Sequence, residues 1–331
     1  MRMVEISARR WCRALLPCAL LVAAAATAGA DNFPGSGPVR IVVPTGPGSP
    51  PDVIARVIAT DVAEAEGWRV VVENKPGALQ VIGMADVLKQ PADGLSIFPL
   101  SLGAIPTPIL APGKGIRLET DFAPVIKVGT GTTVLVVHPS VPATSVSELV
   151  ALLKAAPDKY NYSSGGFGTP AHLLGEMFKV QTGALATHTP YPQGPQRIAD
   201  LLSGTTHFAF YNTPAVVDLI GSGKLRAIAV TAPKRVPALK DVPTVAEQGF
   251  PNLVAEDWVG FAVKAGAPPE AIASLNAAVN KAIGRAQVRD AMMKMGYDPA
   301  GGTPAELASL IATQVAYWRK IIGESGIKMP D

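Results

Sequence analysis

The stretch PVRIVVPTGPGSPPDVIARVIATDVAEA, residues 38–65, decides the fold. Val39 to Val43 is an apolar, β-branched run that reads as a buried strand, and the residues from Asp52 to Ala65 have helical spacing. Between them lies Thr45-Gly46-Pro47-Gly48-Ser49-Pro50-Pro51-Asp52, a turn rich in glycine and proline. A strand, a tight turn and a helix N-terminus together make an anion site, because the first N–H groups of a helix have no partner and its dipole favours negative charge. The bland alternative is a capped turn, with Asp52 as the cap.

The same rhythm continues downstream. WRVVVEN (68–74) precedes a helix expected from Ile82 to Lys89, and LSIFPLS (95–101) follows as a third strand. This β-α-β-α-β order predicts a parallel sheet with helical crossovers. FAPVIKVGTGTTVLVVHPS (122–140) is too long for an ordinary strand and carries Gly129-Thr130-Gly131 in its middle. It reads as a crossing into a second lobe with the glycines as a hinge. There the pattern repeats: a helix at 145–155, YNYSS, a helix from Pro170 to Thr182, THTPY, a helix from Pro195 to Leu202, HFAFY, a helix at 214–221 and LRAIAV. AEDWVGFAVKAG (255–266) offers the return crossing, and the amphipathic helices after it are expected to pack on the first lobe. The expected fold class is therefore α/β, with residues 31–128 and 258–331 in lobe 1, residues 129–257 in lobe 2, and two crossing strands between them.

A chain of 331 residues is about the length at which one core gives way to two lobes. Its first thirty residues read as a secretory signal: Arg2, Arg9, Arg10 and Arg13 precede the apolar ALLPCALLVAAAATAGA, which ends in small residues. Both cysteines, Cys12 and Cys18, fall in this segment, so the mature chain is expected to lack disulfides and thiolate metal sites. Its four arginines and Glu5 also account for the whole formal charge of +3. The remainder is near neutral, which removes the electrostatic case for a nucleic-acid partner.

Catalytic and cofactor motifs fail one by one. Gly46-Pro47-Gly48 lacks the third glycine of a dinucleotide fingerprint, since Pro51 stands there. Gly221-Ser222-Gly223-Lys224 imitates a phosphate loop, but Asp218 occupies the place of its first glycine. His138, His172, His188 and His207 are scattered without metal-ligand spacing, and no G-x-S-x-G elbow is present. The expectation is a protein that is not an enzyme and needs no cofactor and no metal.

What remains is a set of polar turns between strands and helices. In an open parallel sheet such turns face one edge, where ligands bind. The candidate ligand residues are Thr45, Gly46, Gly48 and Ser49 in the first turn, Gln80 and Val81 in the second, and Ser101 at the end of the third strand. From lobe 2 come Ser164, Gly166, Phe167, Gly168 and Thr169 in SSGGFGTPAH, then Gln193, Tyr211 and Asn212, with Trp258 on the return crossing. Asp52 and Pro170 are read as structural caps.

These motifs, in this order and over essentially the whole mature chain, resemble the tripartite tricarboxylate transporter substrate-binding proteins, the Bug or TctC family. The resemblance rests on PVRIVVPTGPGSPPDVIAR, DFAPVIKVG, YNYSSGGFGTPAHLLGEMFK, HTPYPQGPQRIADLLSG and GKLRAIAVTAPKRVPALKDVPTVAEQGFP. It implies a type II periplasmic binding fold, a periplasmic location, and a monomer whose lobes close on a small-molecule carboxylate and deliver it to membrane permease subunits. A ligand sensor for a membrane signalling system would use the same cleft, so the sequence leaves that alternative open. Several positions depart from the family pattern. Leu79 and Gln80 replace a glycine pair, Val81 replaces asparagine, Phe167 stands where asparagine is common, Gln193 replaces glycine, and Tyr211 replaces an aspartate. Larger and more apolar side chains at these places suggest an aromatic dicarboxylate such as terephthalate, with an aliphatic di- or tricarboxylate as the alternative.

Overall fold

The computed structural model describes residues 33–327 except 36, 158, 192 and 193. The expected signal at 1–30 and Gln193 lie outside the described residues. In chain order the elements are β1 (Val39–Val43), α1 (Pro50–Glu66), β2 (Val70–Asn74), α2 (Val81–Lys89), β3 (Ser96–Ser101), α3 (Thr107–Leu110), α4 (Leu118–Asp121), β4 (Phe122–Gly131) and β5 (Thr133–Val137). They continue with α5 (Val146–Ala155), β6 (Asn161–Ser164), α6 (Pro170–Thr182), β7 (Thr187–Pro190), α7 (Gly194–Leu202), β8 (Phe208–Asn212), α8 (Val217–Gly221), β9 (Arg226–Val230), β10 (Asp257–Lys264), α9 (Pro269–Gly284), α10 (Ala286–Lys294), β11 (Tyr297–Pro299) and α11 (Pro304–Ser325).

The strands form two sheets, a six-stranded one in the order β11-β4-β10-β3-β1-β2 and a five-stranded one in the order β7-β6-β8-β5-β9. The β-α-β-α-β unit is parallel, as its crossover helices require: β1 runs parallel to both β2 and β3. The rest of the first sheet is antiparallel, because β10 pairs antiparallel with β3 and β4, and β11 antiparallel with β4. The second sheet mixes in the same way, with β6 parallel to β7 and β8 but β5 antiparallel to β8 and β9. The strands by which the chain enters each sheet from the other, β5 and β10, run against the direction of that sheet's parallel strands.

The long run at 122–140 is broken at Thr132, with β4 in one sheet and β5 in the other. Thr132 lies between them, its carbonyl accepting the N–H of Thr213 at 3.0 Å. β10 returns the chain between β3 and β4 and is buried along nearly all its length. α9 and α10 pack against α1, whereas α11 lies on β4 and also meets α6 beside the second sheet. Trp318 of α11 and Phe178 of α6 are buried in one continuous apolar cluster with Phe208 and Trp258. A capping box fixes the start of α11, where Thr303 Oγ1 accepts from the Glu306 N–H and the Glu306 carboxylate accepts from the Thr303 N–H.

Candidate functional site

A cavity of about 190 Å³ lies where the two sheets meet, bordered by the turns that follow β1, α6's entry loop, and the ends of β3, β8 and β10. Among the residues expected from the sequence, Thr45, Ser49, Gln80, Ser101, Thr169 and Asn212 border it, as does Pro170. Residues from both sheets thus face one space.

The first turn is shaped from within. Pro50 and Pro51 take the first helical positions of α1 and carry no N–H, so this helix end has few donors left for an anion. Ser49 occupies the N-cap position, and Asp52 sits inside the first turn. Its Oδ2 accepts the Gly48 N–H at 2.9 Å, while Oδ1 accepts from Arg56 Nε at 3.0 Å and Asn74 Nδ2 at 2.8 Å. Burial alone would raise the Asp52 carboxyl, but these bonds outweigh it and hold the group below its ordinary range. Asp52 therefore closes the turn backwards onto Gly48. The hydroxyls of Thr45 and Ser49, 2.6 Å apart, are what the turn presents to the cavity.

The second turn uses Gly77 at φ 119° and then two larger residues. Leu79 and Gln80 both have left-handed backbone angles, φ 54° and 68°. The Leu79 carbonyl accepts the Thr107 hydroxyl at 2.5 Å, and Gln80 borders the cavity with its Oε1 buried and unpartnered.

The loop before α6 is tied to itself. Ser164 is buried, with its Oγ 2.6 Å from His188 Nε2 and accepting the Gly166 N–H at 3.0 Å. His172 Nδ1 accepts the Gly168 N–H at 3.1 Å, and the His172 and His188 rings stack 4.2 Å apart. Burial depresses both imidazoles to about 4, so both are neutral at pH 7. Phe167 sets its edge against the same two rings, at 5.2 and 5.0 Å. What the loop offers the cavity is Gly165, Thr169 and the first turn of α6, where the Ala171 N–H has no intrahelical acceptor.

Gly46, Gly48, Val81, Ser164, Gly166, Phe167, Gly168, Tyr211 and Trp258 do not border this cavity. Val81 packs against the core. Trp258 is buried beside a separate cavity with Lys127 and Gln314. Tyr211 supports the site from behind, its ring 3.8 Å from the guanidinium carbon of Arg197.

Arg197 is the residue that sequence reasoning passed over. It rises from α7 and borders the cavity, with its NH2 group donating to the carbonyls of Phe210 at 2.7 Å and Ser163 at 3.1 Å. Its Nε is buried without a partner. Burial lowers its pKa from the ordinary value, partly offset by Tyr211, yet a guanidinium stays charged. Phe210, Thr133, Asp257 and Tyr297 complete the wall and were likewise missed. A clue lay in Tyr211, singled out in YNTP as a departure from the family pattern, whose ring packs on the guanidinium of Arg197. Among the described residues no group of three His, Cys, Asp or Glu is placed to hold a metal ion.

Comparison with known proteins agrees with this architecture. The family described as "Tripartite tricarboxylate transporter family receptor" matches residues 54–327. Protein BugT of Bordetella pertussis is 35% identical over 308 residues, 92% of this chain and 94% of BugT. Among solved structures, R. palustris Rpa4515 with adipate superposes with a TM-score of 0.79 at 32% identity, covering 90% of this chain and 99% of that one. MatC from Rhodopseudomonas palustris with bound malate gives 0.76 at 26% identity, covering 86% and 98%. These relatives are binding proteins, not enzymes.

Proposed function

The chain belongs to the tripartite tricarboxylate transporter receptor family, and from that premise we propose that it is a periplasmic solute-binding protein. It captures a carboxylate between its lobes, closes on it and delivers it to membrane permease subunits. The observation that carries the reading is Arg197, a guanidinium on the cavity wall that has no carboxylate partner among the described residues and keeps a buried donor free. An ion with an unpaired donor in a desolvated site is costly unless a ligand completes it, and an arginine–carboxylate contact is among the stronger hydrogen-bonded pairs. The hydroxyls of Thr45, Ser49 and Thr169 surround the same space. The adipate and malate bound to Rpa4515 and MatC are of the same chemical class.

The ligand body is flat or short. Phe210 and the rings of Pro50, Pro51 and Pro170 are the apolar surfaces of the cavity, while Phe167 and Tyr211 stand behind it. A carboxylate with a flat aromatic body of terephthalate's dimensions therefore heads the panel for shape, with adipate and malate beside it.

The test is thermal unfolding of the mature protein against a panel of carboxylates. A ligand at a hundred times its Kd stabilises by about 2.7 kcal/mol, and the shift grows with the logarithm of concentration. A panel in which no carboxylate raises the midpoint removes the proposed ligand class.

A further inference from the structure

The cavity carries a second charge-bearing group, of opposite sign. Asp257, the first residue of β10, is buried and borders the same space as Arg197. Its Oδ1 accepts the Trp258 N–H at 2.9 Å, and its Oδ2 accepts the Tyr297 hydroxyl. Asn212 Nδ2 donates to that same hydroxyl oxygen at 3.4 Å. No cation among the described residues pairs with Asp257, and no carboxylate pairs with Arg197.

Both groups are tied to β8. Arg197 is anchored on the carbonyl of Phe210, and the Asp257–Tyr297 pair meets the side chain of Asn212, two residues further along β8. Both border the same cavity, so a ligand filling it meets a guanidinium and a carboxyl group.

We propose that the ligand is an amino carboxylate, whose carboxylate is taken by Arg197 and whose ammonium is taken by Asp257. This rests on the carboxylate reading above and adds the chemistry of the second end. Like charges facing one another in a site shielded from water repel strongly, whereas an ammonium completes an acceptor that has only neutral donors around it. Burial raises the Asp257 carboxyl above its ordinary range, and an arriving cation offsets that cost. Asp257 thereby selects against a dicarboxylate of the same length.

Calorimetric titration of the mature protein at pH 7 with matched pairs tests this. The pairs are terephthalate with 4-(aminomethyl)benzoate, and adipate with 6-aminohexanoate. In at least one pair the amino member is expected to bind about tenfold tighter or more. Asp257→Asn, which keeps one acceptor oxygen and the side-chain size, should erase that preference. Arg197→Gln should weaken both members. Tighter binding of the diacids in the wild type, including binding accompanied by proton uptake at Asp257, overturns the amino-carboxylate proposal and leaves the carboxylate reading intact. An unchanged preference in a folded Asp257→Asn does the same. Failure of both series to bind the wild type overturns the carboxylate reading and this proposal with it. The wild-type preference needs no substitution, so a poorly folding variant leaves the test standing.

Discussion

The two turns that face each other across the cleft reach left-handed backbone by opposite means. On the first-lobe side Leu79 and Gln80 adopt φ 54° and 68° with full side chains, whereas on the second-lobe side Gly166 and Gly168 adopt φ 115° and 72° with none. A non-glycine residue in this region costs on the order of 1 kcal/mol or more. The first-lobe turn bears that strain and gains two projecting side chains: Leu79 reaches toward Gly168, and Gln80 borders the cavity. The second-lobe turn supplies the gap. A Cβ added at Gly168 would stand 2.2 Å from Leu79 Cδ2. Contact across the cleft is therefore a side chain on one side and the lack of one on the other, and the second lobe brings its charge from elsewhere, on Arg197.

Breaking that fit should give the largest loss of stability. Gly168→Ala places a side chain at positive φ and against Leu79, and unfolding in urea should show a loss of about 3 kcal/mol. Leu79→Gly in the same chain should restore the part due to the clash, and a double-mutant cycle measures it.

The next effect is acid sensitivity, to which the second-lobe turn contributes through His172 and His188 beneath it. Both are depressed to about 4 in the fold, against about 6.5 in the unfolded chain. Between those values the unfolded chain binds protons that the folded chain refuses. Their contribution is complete above pH 6.5 and is lost as pH falls toward 4, about 2 kcal/mol by pH 5 for the buried His172 and less for the half-buried His188, whose charge water screens. The urea midpoint should follow that course, and replacing His188 by Gln should flatten it.

Smaller effects sharpen the first-lobe side. Ser49→Ala removes one of two paired hydroxyls on the cavity wall and should weaken ligand binding by about 1 kcal/mol with little change in stability. Leu79→Gly alone relieves backbone strain but loses its contact with the Gly168 loop. The two nearly cancel, so its melting temperature should stay within about 2 °C of wild type.

Much of this was legible along the chain. The run of β1, α1, β2, α2 and β3 followed from periodicity, and α6 falls at Pro170–Thr182 as its proline and apolar spacing required. β11 was not, because three residues, Tyr297-Asp298-Pro299, carry no period and gain their place only by pairing with Gly129–Gly131 of β4. The directions of β4, β5 and β10 were hidden for the same reason: pairing partners far apart in sequence set them. Within the site, the turns announced Thr45, Ser49 and Thr169 through their composition. Arg197 and Asp257 gave no such sign. In PQRIADLL the arginine looks like an ordinary solvated helix residue, and only the carbonyls of Phe210 and Ser163 turn it inward. Asp257 looks like the edge of a strand until Tyr297, forty residues later, closes over it.

The proposed carboxylate receptor stands or falls on Arg197. Calorimetric titration of the wild type and Arg197→Gln with the tightest-binding carboxylate tests it most directly. The expected result is a single site per chain in the wild type and an affinity at least about thirtyfold weaker in a variant whose melting curve remains cooperative, equivalent to roughly 2 kcal/mol. Equal affinity in the two proteins would contradict it.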